Sequence, residues 1–399
     1  MDNDSEVAGW SRRQQLMDTA ERLAPRLREA SAAIERQRFL PQDIATELAA
    51  AGLYRMLTPA AFGGDEVDVH TFVLVIERLA QADASAAWCT FISCTSAILG
   101  AYLPQAEARV LFASPEVKCA GVFAPRGKAS RTTRNGVEGF VVNGRWPWGS
   151  GCRNADILTG GCLVLDADGK PETLSGGTPN VQSMVFTAEQ VEIHDTWHAF
   201  GLKGTGSNEF SVRELFVPAV RSAALMTDTP LPGPLYRFPV FGLLGLGIAA
   251  VAQGVARLAI DSLRELATQK TPQGSARLLA ERTSTQEHVA RSEARWRASR
   301  AFLLQAVDAA WTAAVETGRI STEHKRDIRL ATTFATEEAA AVVNRMHTLA
   351  GGSAVFDASP IQRCLRDVHV ATQHMMVSES TYELTGRLLL GLPTNVAML

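Results

Sequence analysis

"VNGRWPWGSGCRNAD", residues 142–156, decides how the rest of the chain is read. Two tryptophans, Trp146 and Trp148, alternate along an extended run that gives way to Gly149-Ser150-Gly151. Glycine on both sides of a serine lets the backbone approach a flat ligand closely. An indole face beside a small hydroxyl suits an aromatic cofactor such as an isoalloxazine. Trp148 would stack, while Ser150 or a backbone N–H reaches a polar ring atom. A tryptophan-capped β core ending in an ordinary turn accounts for the same letters, and the residues alone leave both open.

Outward from this stretch the same period holds. "GFVVNGRWPW", "DILTGGCLVL" and "VQSMVFTAEQVEIH" are short β-rich runs separated by Gly, Asn, Asp and Pro, which predicts a small antiparallel β domain over 116–222. Before it, "RRQQLMDTAERLAPRLREASAAIERQRF" and "PQDIATELAAAGLYRML" repeat apolar residues every three or four positions, as helices do. After the Pro-rich "TPLPGPLYRFP", stretches such as "EHVARSEARWRASRAFLLQAVDAAWTAAVE" predict a helical bundle. The expected fold is α+β and mainly α, with helices over 1–115, the β domain over 116–222 and the bundle over 223–399.

Composition removes several functions. With 46% apolar residues, 20% charged residues and a net charge of −3, the chain has no field to gather nucleic acid or an anionic membrane. Its acidic, polar start, "MDNDSEVAGWSRRQQ", carries no apolar signal region. "VFGLLGLGIAAVA" (240–252) stops short of the roughly 20 apolar residues of a membrane span and reads as a buried helix. The six cysteines are scattered without a CxxC, so reduced thiols, a cytoplasmic setting and no metal site are expected. "GLGIAA" (245–250) matches a dinucleotide fingerprint by letters only, since no strand precedes it. "GLKGTGS" (201–207) is no phosphate loop, because Lys203 precedes the second glycine. It reads either as a β-turn or as a strand-end loop beside the site. Any redox activity would then depend on electrons brought from outside.

Together these pieces resemble the acyl-CoA dehydrogenase superfamily. "LAAAGLYRMLTPAAFGGDEVD" (48–68) is similar to its "aGl...p.eyGG" segment, "VNGRWPWGS" to "lnG.K.WIT", and "LAGGSAVFDASPIQRCLRDVHV" (349–370) to "lGG.Gy....p..R..RDa". The resemblance implies flavin contacts from Trp148, Ser150 and Gly151. It also implies contacts from Gly351 and Gly352 to the flavin of a neighbouring subunit. The "TEPgaGSD" loop is here "FAPRGKA" (123–129), which assigns Phe123, Ala124 and Pro125 to the cofactor. Arg282, Arg291 and Arg295 offer cations for a flavin phosphate across an interface, with Arg282 the choice, though solvated helix faces account for them too.

Where the dehydrogenases place a catalytic glutamate, Met375 stands, and methionine cannot take an α-proton. "AGVFAPRGKA", "GRWPWGSGCRNAD" and "GLKGTGSNE" instead resemble the two-component (group D) flavin monooxygenases of this fold. That likeness implies FADH2 or FMNH2 delivered by a separate NAD(P)H:flavin reductase, O2, and hydroxylation of a hydrophobic, aromatic or polycyclic small molecule through a C4a-hydroperoxyflavin. It implies Ser150 as a donor toward flavin N5, and His374 at the reacting edge as the group that exchanges a proton. Histidine's usual pKa of about 6.5 suits that task. Taken on one helix, His369 and His374 are about 140° apart and share no metal. Trp88, Met375 and Met376 form the expected substrate pocket, and a homotetramer or homodimer is expected. A dehydrogenase or desaturase with a relocated base, and a scaffold that kept the fold without catalysis, are the alternatives.

Overall fold

The computed structural model describes residues 3–174, 177–397 and 399. The first helix, α1 (Asn3–Gln37), buries Leu16, Ala20, Leu23, Leu27, Ala30 and Ile34, a stripe spaced by threes and fours that faces the core. After α2 (Gln42–Ala50), two aspartates start the next helices. Asp68 accepts the Thr71 N–H at 2.8 Å at the head of α3 (Val69–Ala80). Asp83 accepts the Ala86 N–H at 2.9 Å at the head of α4 (Ala84–Ala97). Every residue of α4 is buried. The short α5 (Gln105–Leu111) leads into the sheet.

Seven strands follow among the described residues: β1 (Cys119–Arg134), β2 (Val137–Gly149), β3 (Ile157–Leu165), β4 (Val181–Thr187), β5 (Glu192–His194), β6 (Asn208–Pro218) and β7 (Ser222–Ala223). Their order across the sheet is β5-β6-β2-β1-β3-β4-β7. The sheet is antiparallel as expected except at one pair, since β3 runs parallel to β1. β2 ends beside the start of β1, and residues 150–156 carry the chain from that end to begin β3.

Trp146 is the centre of the sheet's own core. It is fully buried, stacks on Phe210 at 5.2 Å, meets Phe186 at 5.4 Å and donates its indole N–H to the Gly161 carbonyl at 2.8 Å. A Cβ on Gly127, Gly144 or Gly160 would lie 2.4–2.6 Å from this ring, so the missing side chains make room for the indole.

The C-terminal part contains α6 (Val240–Gln269), α7 (Thr283–Thr317), α8 (Thr322–Ala350), α9 (Pro360–Ala371) and α10 (Ser380–Leu389). "GLGIAA" lies inside α6, where a Cβ on Gly247 would meet Phe91 of α4 at 2.5 Å. Close helix approach accounts for those glycines. The helices before and after the sheet share one hydrophobic core. Ala84–Ala101 and Val240–Gln269 are long and apolar enough to cross a membrane, yet 100% and 89% of those windows are buried in this core.

Candidate functional site

The site gathers where α4, the end of β2, the loop before β6 and the segment after α9 meet. Trp88 of α4 donates its indole N–H to Ser150 Oγ at 3.1 Å, and its ring lies 6.2 Å from the His374 ring at a 57° tilt. Trp88 and Ser150 are both buried. Gly151, at φ 75°, donates its N–H to the Thr205 carbonyl at 2.8 Å. Sequence expectation and structure thus bring Trp88, Ser150, Gly151 and His374 into one neighbourhood.

Trp148 is unusual. It is 66% exposed and adopts φ 63°, a left-handed conformation that costs an L-residue roughly 1–2 kcal/mol. The β2–β6 register shifts between Trp146 and Gly149, and this irregularity turns Trp148 out while Trp146 stays in. The result is an exposed indole face two residues from Ser150.

Ser150 is not alone. Its Oγ lies 2.6 Å from Ser207 Oγ, which lies 2.7 Å from Thr205 Oγ1. Both partners belong to "GLKGTGS", which forms a short helical turn over Lys203–Thr205 and enters β6 beside Gly149. The stretch is a turn leading into a strand, and the sequence reading did not single out its hydroxyls as site residues. The only sequence signal is the pair of hydroxyls in "TGS" directly before a strand.

His374 departs from the helical expectation. α9 ends at Ala371, and His374 instead caps a short turn over Met375–Val377, its Nδ1 accepting the Met376 N–H at 3.2 Å. The proton therefore sits on Nε2. Burial, with the Arg329 charge adding to it, lowers the His374 pKa to about 4. The imidazole is therefore neutral near neutral pH, below the usual value of about 6.5 that the expected proton exchange assumed, and its Nε2–H is left to donate. Arg329, on α8, is buried and forms no ion pair among the described residues. It donates to the Met376 carbonyl at 2.6 Å and touches Met376 Sδ at 3.5 Å, and its Nε has no partner among the described residues. Burial lowers its pKa to about 10. Sequence reasoning missed it, because its partner is a backbone carbonyl. Met376 is buried under this guanidinium, whereas Met375 is 60% exposed, so only Met375 presents its side chain outward.

Arg282, Gly351 and Gly352 meet elsewhere, in a cavity of about 470 Å³ lined also by Lys270, Leu279 and Phe356. Lys270 donates to the Ala350 carbonyl at 2.7 Å, and Gly351 takes φ 54°. Two cations beside bare glycine backbone suit a phosphate. Phe123, Ala124 and Pro125 are not in a loop between elements. They bulge from within β1, where pairing with β3 skips from Val122 to Gly127. A Cβ on Gly161 would come within 2.3 Å of the Phe123 carbonyl. Phe123 packs on the helical core, while Ala124 and Pro125 are exposed. Among the described residues no cluster of His, Cys, Asp or Glu could hold a metal ion.

The residues fit a flavin by chemistry: an exposed indole, a buried serine with a spare lone pair, a neutral histidine and a cationic glycine-lined cavity. Comparison with known proteins agrees. Residues 12–107 match the family model "Acyl-CoA dehydrogenase, N-terminal domain", and residues 246–379 match "Acyl-CoA dehydrogenase, C-terminal domain". The chain is 32% identical over 373 residues to an indole-3-acetate monooxygenase of Acinetobacter baumannii, covering 93% of each. It is 27% identical to the flavin-dependent monooxygenase oxygenase subunit HsaA of Rhodococcus jostii, covering 96% of this chain and 100% of that one. Among solved structures, XiaF from Streptomyces sp. in complex with FADH2 and glycerol superposes with a TM-score of 0.89 at 26% identity, over 98% of both chains.

Proposed function

The chain belongs to the acyl-CoA dehydrogenase family, among its flavin-dependent monooxygenases, and from that premise we propose that it is the oxygenase component of a two-component system. It takes reduced flavin, FADH2 or FMNH2, from a separate NAD(P)H:flavin reductase and uses O2 to hydroxylate a small, hydrophobic aromatic substrate. Bound flavin supplies the electrons that activate O2.

The observation that carries this reading is the meeting of Trp88, Ser150 and His374 beside the strained, exposed Trp148. Trp148 offers a face for the ring system, and Ser150 a polar contact at its edge. The Trp88 indole and the Met375 side chain keep water from the reacting edge. His374, neutral and with Nδ1 engaged by the Met376 N–H, presents Nε2–H as a hydrogen-bond donor toward the substrate. Lys270 and Arg282 of a neighbouring copy would take the phosphate end. Val355 and Phe356, 69% and 67% exposed beside that cavity, support an assembly of two or four copies in which a second chain covers them. Light scattering of the purified protein tests the assembly. Buried reduced thiols support a cytoplasmic setting.

The test uses purified protein, reduced FAD or FMN, ¹⁸O2 and an arylacetate such as indole-3-acetate, the substrate class in the name of its 32%-identical relative. One ¹⁸O atom in the product is the expected result, with Ser150→Ala releasing more hydrogen peroxide per product. Oxidation of an acyl-CoA by the flavin-loaded protein instead would establish the dehydrogenase alternative, and failure to bind either flavin would sink both.

A further inference from the structure

The hydroxyls behind Ser150 form a chain whose proton directions follow from counting. Each hydroxyl has one proton and two lone pairs. Thr205 Oγ1 lies 2.8 Å from the Leu202 carbonyl oxygen, which only accepts, so the arrangement with most hydrogen bonds points the Thr205 proton there, beside the Trp197 indole N–H and the Thr205 N–H. Ser207 must then donate to Thr205 Oγ1 at 2.7 Å, and Ser150 to Ser207 at 2.6 Å. Ser150 Oγ also receives the Trp88 indole N–H at 3.1 Å. What Ser150 has left for a ligand is a lone pair and not a proton. Its expected role as a donor is thereby reversed in the resting protein.

The opposite polarity is within reach. If Ser150 turns its proton outward, Ser207 donates to Ser150 and Thr205 to Ser207. The Leu202 carbonyl then loses the Thr205 hydroxyl but keeps the Trp197 indole N–H and the Thr205 N–H, each at 3.1 Å. The Leu202 N–H stays on the Asp367 carboxyl at 2.6 Å, so the far end of the chain is held in either state. Reversal costs one hydrogen bond.

We propose that Ser207 and Thr205 are positioning residues that keep Ser150 an acceptor toward a bound ring and so bias the site toward reduced over oxidised flavin. The proposal rests on the flavin reading above. N5 of reduced flavin carries a hydrogen and donates, whereas N5 of oxidised flavin has only a lone pair and accepts. The resting chain meets the first with every bond kept, and the second only after reversal. One hydrogen bond corresponds to roughly a two- to tenfold preference. That preference suits a protein that must hold what a reductase delivers and release the spent form.

Anaerobic equilibrium dialysis with reduced and with oxidised FAD, repeated with FMN, tests this on wild type, Ser207→Ala, Thr205→Val and Thr205→Ser. Ser207→Ala and Thr205→Val each cut the chain, and the ratio of reduced to oxidised affinity is expected to fall two- to tenfold. Thr205→Ser keeps the hydroxyl and is expected to keep the wild-type ratio. A purely structural role would lower both affinities together and leave the ratio where it was. An unchanged ratio in whichever cut variant folds overturns the relay while leaving flavin binding intact. A wild-type protein that binds neither form overturns the flavin reading itself, and the relay with it.

Discussion

Arg329 and His374 grip the same residue from two sides: the guanidinium takes the Met376 carbonyl at 2.6 Å and the imidazole takes the Met376 N–H at 3.2 Å. A buried arginine with no carboxylate is costly, so its presence here needs a local return. It closes the turn that aims His374 at Trp88, and its charge helps keep that ring neutral.

Arg329→Met removes both effects. The His374 pKa is expected to climb from about 4 toward 6.5 without reaching it, because burial is the larger cause of its depression. NMR titration of the ring Cε1–H reads this directly, and an unmoved midpoint would contradict the assignment. The linkage sign follows for wild type. The unfolded chain takes up the His374 proton first, so stability contributed by the neutral ring is lost as pH falls from 6.5 through 4.

Asp367 works in the opposite direction. Burial, opposed by the Leu202 N–H and reinforced by Asp83, raises its pKa to about 7. A carboxyl with a raised folded pKa stabilises most at low pH, and that contribution declines as pH rises from 3.8 through 7. Asp367→Asn keeps an acceptor for the Leu202 N–H and cannot ionise. Its stability relative to wild type is expected to rise across that window and level off above it, as measured by urea midpoints at stepped pH. A constant offset would show that Asp367 does not titrate there.

Trp148→Gly should separate stability from function. Glycine adopts positive φ freely, and little burial is lost from a side chain 66% exposed. A gain of about 1 kcal/mol in unfolding free energy is expected, together with weaker flavin binding by fluorescence titration. Loss of stability would mean that the indole packs on something after all.

Arg282→Ala is expected to weaken FMN and FAD binding roughly tenfold, the loss of a charged hydrogen bond, while riboflavin, which has no phosphate, binds as before. Equal weakening of all three would place the arginine elsewhere on the ligand.

How much of this was legible in the chain differs residue by residue. The order helices, sheet, helices follows from a change of hydrophobic period, and it depends on local pattern alone. Trp146, Trp148 and Ser150 were visible because they lie within a few residues of one another. That one indole would fill the sheet core and the next would face out was not, since a register shift against β6 separates them. Ser207 and Thr205 reach Ser150 only through the β2–β6 pairing, and no local pattern carries that information. "VHVATQHMM" contains no glycine or proline to end a helix. The break after Ala371 is capped by His374 and held by an arginine 47 residues upstream of the Met376 it grips.

The six thiols bear on durability. All six cysteines are free and buried, and desolvation drives their pKa values up, to about 12 at Cys119, Cys152, Cys162 and Cys364 and further still at Cys89 and Cys94. Hydrogen peroxide attacks thiolates, and almost none exist here at neutral pH. A catalyst whose unproductive turnovers release peroxide would thus leave its own thiols unoxidised, and the exposed Met226 and Met375 become the first places for such damage to be recorded.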